Sequence, residues 1–200
     1  MNLTERVKNI LVQPAQEWAV VEKEATSVSD LYTSYIVLLA AIGPVASIIG
    51  LSIIGISVPF AGTYRVPLMS AIGQAVVTYV LALAGVYILA LVIDALVPSF
   101  QGTKSQIQAL KVAAYSSTAA WLAGVFNLIP VLAFLQILGL YSLYLLYLGL
   151  PVLMKVPQDK ALVYTVVVVV AAIVIFGVIG AVGSSFVSYP SPGMMPGMPK

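Results

Sequence analysis

Two ionisable side chains at the ends of long apolar runs are the first candidates for chemistry. Asp94 stands near the end of the second such run, and Lys111 stands in the first turns of the third. A carboxylate at the centre of a membrane-spanning helix costs about 2.5–3.5 kcal/mol on insertion scales, so it requires a partner or water. One hypothesis is that Asp94 pairs with Lys111 across neighbouring helices. The interpretation we favour is that Asp94 is a polar stop at the membrane surface, where this cost is smaller.

Four more polar residues complete the predicted site, which consists of Asp94, Lys111, Asp30, Tyr115, Asp159 and Lys160. Asp30 opens the first apolar run, Tyr115 lies within the third, and the last two join the fourth to the fifth. Tyrosines also recur in the fourth run. They could line a polar path, but tyrosine is enriched at membrane surfaces, which favours ordinary packing for Tyr141, Tyr144 and Tyr147.

The residue types that most enzymes and metal sites use are missing from the sequence. It contains no cysteine and no histidine, which removes the usual zinc ligands and the usual nucleophile and base. An intramembrane hydrolase would need a second carboxylate beside Asp94. Soft thioethers near the end could bind Cu(I), but a disordered tail is the simpler interpretation for Met194, Met195 and Met198. We therefore expect no enzyme activity, no cofactor and no metal.

The elements that position these residues follow from composition. The sequence is 61% hydrophobic and 8% charged, whereas soluble domains carry about 25% charged residues. Several apolar runs reach the roughly 20 residues needed to cross a bilayer. They must be helical, because lipid cannot satisfy bare backbone N–H and C=O groups. The predicted fold is all-α, an integral membrane bundle of five transmembrane helices at about 32–56, 68–97, 107–126, 131–154 and 161–187.

A polar head, residues 1–31, precedes the predicted bundle. Apolar residues recur at helical spacing from Leu3 to Leu11, and Pro14 separates this helix from a second one that carries Trp18. Such a segment is typical of an amphipathic helix in the membrane interface, with Trp18 in the headgroup layer. Alternatively, the head caps the cytoplasmic end of the bundle. Residues 188–200 are predicted to form a disordered outer tail.

Breaks and small residues within the predicted spans indicate how the helices pack. Gly43-Pro44 lies inside the first span, where proline removes a backbone hydrogen bond and kinks the helix. Gly149 and Pro151 are expected to bend the end of the fourth. Small residues on one face permit close helix contacts, and they recur in the third and fifth spans as Ser116, Ala120 and Gly124, and as Gly177, Gly180 and Ser184. The same faces would permit a homo-oligomer.

The distribution of Lys and Arg sets the predicted orientation in the cell (inner) membrane. With five spans and a cytoplasmic N-terminus, only Arg65 and Lys200 fall outside. The inner segments then hold Arg6, Lys8, Lys23, Lys104, Lys111, Lys155 and Lys160. The C-terminus is therefore predicted outside, and the polar site faces the cytoplasm.

Several short stretches occur in a distinctive order. Residues 7–14 are an apolar stretch ending in Pro14, and Trp18 follows; Asp30-Leu31-Tyr32 precedes the first span, and Ala114-Tyr115-Ser116 lies in the third. With the corner at 155–164 and the apolar fifth span, this order resembles the Yip domain family, the Ypt/Rab-interacting membrane proteins and their bacterial relatives. The chain departs from the family pattern where Thr33 and Ser34 replace Gly-Pro, and where Ala replaces Gly at position 114.

The resemblance implies a five-helix bundle with a cytoplasmic N-terminus. Eukaryotic members are linked to vesicle trafficking and to prenylated small GTPases, and this chain is similar to the prokaryotic form, for which no reaction is implied. One hypothesis is therefore a non-enzymatic scaffold that contacts the lipid bilayer and a cytoplasmic protein. The alternative is a small transporter or channel with a polar site around Asp94 and Lys111. A net charge of +2 is too small to indicate a nucleic-acid partner.

Overall fold

The computed structural model describes residues 2–58 and 62–185, and most of these are helical. Two head helices come first, followed by a long helix, a two-stranded antiparallel hairpin and the remaining helices. In chain order the elements are α1 (Leu3–Val12), α2 (Pro14–Lys23), α3 (Val28–Ile54), β1 (Ile56–Val58), β2 (Gly62–Tyr64), α4 (Leu68–Phe100), α5 (Gln106–Ser116), α6 (Thr118–Ala123), a 3-10 turn (Gly124–Leu128), α7 (Pro130–Met154) and α8 (Gln158–Ser185).

Within the described ranges, four helical segments are long and apolar enough to cross a membrane. They lie at Val28–Ile54, Leu68–Phe100, Pro130–Met154 and Gln158–Val182. An all-α membrane protein is therefore confirmed, whereas the count of five spans stays a prediction. The predicted third span is interrupted at Ser117 and divided among α5, α6 and the 3-10 turn. These three elements together are called the third segment.

The central position of α5 explains why this segment is less apolar than the others. All eight residues from Ala109 to Ser116 are buried, including Lys111. The helix packs against α4 on one side and α7 on another. Because protein rather than lipid surrounds it, α5 can carry polar side chains that a lipid-facing helix could not.

Helix α3 is irregular along its length. Wide π-type turns occur at Tyr32–Ile36 and Ile49–Ile54, and the helix is interrupted at Ala41. Pro44 has no N–H to donate to the carbonyl of Ala40, four residues earlier. The break that the sequence predicts near Gly43-Pro44 is therefore present, one turn before the proline.

Small residues bring α3 and α7 close to the third segment. A Cβ added to Gly124 would lie 2.8 Å from the Cα of Gly43, and one added to Gly139 would lie 3.1 Å from the Cα of Ala120. Ala120 and Gly124, predicted to line a contact face, thus serve contacts within one copy of the chain. In α8, by contrast, Gly177 and Gly180 face open space, and the side chain of Ser184 lies outside the described part.

The corner after α7 brings several loops to one end of the molecule. Lys155 ends α7 in a left-handed conformation, with φ 53°. The N–H of Thr103 donates to the carbonyl of Met154 at 2.8 Å, which joins the loop after α4 to this corner. The ammonium of Lys155 lies 3.6 Å from Glu22 of the head. The predicted tail, including its three methionines, lies outside the described residues.

The head packs into the bundle, and Trp18 lies at the contact. Its side chain is fully buried, and a Cβ added to Gly149 of α7 would lie 2.6 Å from the Trp18 ring. The indole therefore fills a notch that only a glycine leaves open, and its neighbours are protein atoms. The position of the head as a whole relative to the membrane surface stays a prediction.

Candidate binding site at the junction of head and bundle

Lys111 fastens the end of the head to the central helix. Its ammonium donates to the carbonyl of Val21 at 2.9 Å and to the carbonyl of Glu24 at 2.5 Å. These carbonyls lie at the C-terminal end of α2, where a helix leaves acceptors without intrahelical donors and where positive charge is favourable. The lysine is 2% exposed, so this end of the head is held by a buried charge.

Arg6 makes charged contacts within the head, between its two helices. One of its terminal nitrogens lies 2.5 Å from a carboxylate oxygen of Glu17, and the other bonds the carboxylate of Glu24. Arg6 and Glu17 are both buried. Buried ions of this kind are stable only when paired, because leaving one alone costs its full desolvation penalty.

An aromatic cluster centred on Tyr115 lies beneath this ionic network. The guanidinium carbon of Arg6 stands 5.3 Å from the centre of the Tyr115 ring, a cation–π distance. Edge-on contacts join the same ring to Tyr35 at 4.7 Å and to Trp18 at 6.3 Å. The hydroxyls of Tyr35 and Thr118 share a hydrogen bond of 2.7 Å. The predicted site residue Tyr115 thus connects the head, α3 and the third segment.

A cavity of about 490 Å³ opens beside this cluster. Its polar wall contains one cation and two carboxylates, from Arg6, Glu24 and Asp30. The rest is formed by aliphatic, hydroxyl and tyrosine side chains, namely Leu3, Ala25, Thr26, Leu31, Ser34, Tyr35, Leu38 and Tyr115. Such a lining can receive a ligand with both polar and apolar parts.

Asp30 is held at the rim of this cavity by a capping box at the start of α3. Its carboxylate accepts from the hydroxyl of Ser27 at 2.6 Å, and the backbone N–H of Asp30 donates to that hydroxyl at 3.0 Å. The paired bonds satisfy groups that a helix N-terminus leaves open. Asp30 itself remains exposed.

The hypothesis that Asp94 pairs with Lys111 is wrong. Asp94 accepts a hydrogen bond of 2.8 Å from the backbone N–H of Ser105, closing the loop between α4 and α5. Lys111 is instead held by carbonyls of the head, whose sequence lies about 90 positions away. The two groups do not share a site, so the structure gives no support to a transport site built on them.

Of the remaining candidate residues, Asp159 and Lys160 lie apart from the junction, whereas Tyr141 contacts the head. Asp159 and Lys160 occupy the first turn of α8, beyond the corner. In α7, the hydroxyl of Tyr141 donates to the carbonyl of Leu11 at 3.0 Å, and its ring stacks near that of Tyr144. The structure therefore gathers Lys111, Tyr115 and Asp30 at the junction, but neither Asp94 nor the pair in α8.

Sequence reasoning missed Arg6, Glu17, Glu24 and Tyr35. One signal was present, because Leu3, Arg6 and Ile10 are spaced by three and four residues and so share one helical face. An arginine on the apolar face of a helix indicates a buried charge with a partner. Nothing in the spacing shows that this partner lies on the next helix.

The family of the chain is decided by a family-level match. The model of the Yip1 domain matches residues 8–179. The chain belongs to the Yip1 domain family. Two curated relatives are the inner membrane protein YohC of Escherichia coli strain K12 and its counterpart in E. coli O6:H1, each 26% identical over 163 residues, covering 80% of this chain and 84% of the relative. No solved structure matches the chain.

The Yip1 stretches recognised in the sequence meet at the junction. Asp30 and Leu31 come from the stretch before the first span, Tyr115 comes from the third, and all three line the cavity. Tyr32, the last residue of the first stretch, donates its hydroxyl to the carbonyl of Leu83 in α4 at 2.9 Å. Arg6 stands just before the region that matches the Yip1 domain.

Proposed function

We propose that this Yip1-family protein is a non-enzymatic scaffold of the inner membrane that presents its head, in a fixed position, to a cytoplasmic partner. The observation that carries this proposal is the attachment of the head by Lys111, which donates from the central helix to two carbonyls of the head. Arg6 joins the two helices within the head and lies over the ring of Tyr115 in the central helix. Both buried cations are thus occupied by groups of the chain, which favours a structural role over turnover of a substrate.

The distribution of basic residues among the loops supports a cytoplasmic position for the head. Lys155 and Lys104 belong to loops that meet near the head, through the contacts of Glu22 with Lys155 and of Met154 with Thr103. Arg65 lies beyond the hairpin strand β2, after the far end of α3. Clustering of basic residues at one end favours that end for the cytoplasm, so the C-terminus would lie outside if the third segment also crosses.

The outer surface of the head offers the groups that a partner would meet. Exposed residues of α1 and α2 include Glu5, Lys8, Gln16 and Lys23. Because the buried side of the same helices is fixed, these groups keep a constant arrangement, which reduces the ordering cost of binding. A second copy of the chain could in addition contact the open glycine face of α8.

Co-purification tests the scaffold directly. Full-length tagged protein is extracted from its own cells with the double substitution Lys8→Glu and Lys23→Glu, which reverses charge on the head surface only. We expect a cytoplasmic protein to co-purify with the wild type and to be reduced at least about tenfold with this variant, since reversed rim charges repel a complementary surface. Lys104→Glu, an exposed change in the loop after α4, is the control for charge reversal outside the head helices.

Two results would contradict the scaffold. One is the absence of any stoichiometric protein partner for the wild type, together with unchanged membrane levels of the head variant. The other is solute flux through proteoliposomes that Asp94→Asn abolishes. The second result would return the chain to the transporter hypothesis.

A further inference from the structure

An apolar groove on the outside of α3 lies next to the cavity at the junction. The groove has a volume of about 380 Å³ and shares Leu38 with the cavity. Its lining is entirely aliphatic, from Leu38, Ala41, Ile42, Val45, Ala46, Ile49, Val125 and Leu128. We propose that cavity and groove together bind one phospholipid whose headgroup carries a primary ammonium beside its phosphate.

The groove has the shape and exposure that an acyl chain requires. It follows α3 from Leu38 to Ile49, a distance of about 16 Å at the helical rise of 1.5 Å per residue. Leu38 and Val45 are about half exposed, at 51% and 53%, on a helix apolar enough to cross a membrane. Lipid tails therefore reach this face, and the groove gives one of them a fixed place.

The order of polar and apolar groups along α3 matches that of a phospholipid. Asp30 and Ser34 lie in the first two turns and line the cavity, and the groove begins at Leu38, one turn further. A headgroup in the cavity would thus lead directly into the groove. A water-soluble ligand has no apolar chain that could occupy the aliphatic groove.

The charges in the cavity select the headgroup. Glu24 and Asp30 place two carboxylates against one guanidinium, that of Arg6. Among the described residues, the Oδ1 oxygen of Asp30 accepts no hydrogen bond, while Oδ2 is held by Ser27. A primary ammonium can donate three hydrogen bonds to such carboxylates. Glu17 and Glu24 each accept from one terminal nitrogen of Arg6, and a phosphate can accept from the guanidinium N–H groups that remain. A purely anionic headgroup would be repelled by the excess negative charge.

Lipid competition tests the proposal on the full-length protein in detergent. Phosphatidylethanolamine, phosphatidylcholine and phosphatidylglycerol with identical acyl chains are titrated, and bound lipid is counted by native mass spectrometry. We expect one phosphatidylethanolamine to bind at least about fivefold tighter than phosphatidylcholine, since a quaternary ammonium has no N–H to donate. Phosphatidylglycerol should bind more weakly than phosphatidylethanolamine as well.

Matched substitutions locate the lipid. Asp30→Asn should remove most of the preference for ethanolamine over choline, whereas Asp159→Asn, an exposed carboxylate at the start of α8, should leave it intact. Leu38→Trp should block the passage between cavity and groove and weaken all three lipids. Val80→Trp, on the exposed face of α4, should weaken none.

The proposal is overturned if choline and ethanolamine lipids bind equally to the wild type, if phosphatidylglycerol binds tightest, or if Asp30→Asn and Asp159→Asn behave alike. It goes beyond the scaffold function and is tested separately. A failure here leaves co-purification of a protein partner unaffected, and loss of that partner would leave the lipid preference unchanged.

Discussion

The head–bundle junction and the corner between α7 and α8 lie at the same end of the molecule. Each contains a lysine, but one side chain is buried and the other is exposed. Lys111 is 2% exposed and donates to two carbonyls of the head. The side chain of Lys155 is 64% exposed and stands 3.6 Å from Glu22. If a charge is removed from the junction, its former partners stay buried without a hydrogen-bond partner. If a charge is removed from the corner, water can hydrate the group that it contacted. The stability of the head therefore depends on the junction.

The largest effect is expected from Arg6→Ala. This change leaves the buried Glu17 without a cation, and breaking a buried pair in this way costs about 3–5 kcal/mol. We expect the free energy of unfolding, measured by denaturant titration in mixed micelles, to fall by this amount. Lys8→Ala, on the exposed side of the same helix, should change it by less than about 0.5 kcal/mol. Equal losses in the two variants would show that Arg6 is not part of a buried pair.

A matched pair of lysine substitutions compares the two regions directly. Lys111→Met keeps the length of the side chain but removes both hydrogen bonds to the head, and bonds from a charged donor are worth about 1.5–3 kcal/mol each. We expect a loss of about 3 kcal/mol and faster hydrogen exchange in residues 18–24. Lys155→Met should cost less than about 1 kcal/mol. If exchange in the head is unchanged by Lys111→Met, this lysine does not hold the head.

The smallest effect concerns packing rather than charge. Gly149→Ala places a methyl group 2.6 Å from the ring of Trp18, and overpacking of this kind costs about 1–3 kcal/mol. In a Trp121→Phe background, we expect the emission of Trp18 to shift to the red as the indole leaves its notch. Gly177→Ala meets open space and should be neutral or slightly stabilising. An unshifted emission spectrum would contradict the packing of Trp18 against Gly149.

The long helices could be predicted because their apolar runs are continuous and lipid imposes helical structure on them. The start of α4 at Leu68, directly after Pro67, and the interruption before Pro44 follow from local chemistry that does not depend on the rest of the fold. The third segment was harder to assign. This segment is surrounded by protein, so its polar residues do not mark the ends of a membrane-spanning helix.

The candidate site could be predicted only in part, because its contacts join distant parts of the sequence. Lys111 and Tyr115 were recognised as polar groups in an apolar setting. The partners of Lys111 are backbone carbonyls at positions 21 and 24, and a carbonyl has no signature in the sequence. The hypothesis that pairs Asp94 with Lys111 is wrong for the same reason, since Asp94 accepts from the backbone N–H of Ser105.

Lys111 donates its hydrogen bonds to main-chain carbonyls. These bonds therefore do not depend directly on which side chain the residue at position 21 carries. They are sensitive instead to the spacing of the chain. Inserting or deleting one residue within α2 would turn the terminal carbonyls by about 100° around the helix axis and carry them away from the ammonium. The contact of Lys111 with the carbonyl of Val21 should therefore tolerate a change of side chain at position 21 better than a change in the length of α2.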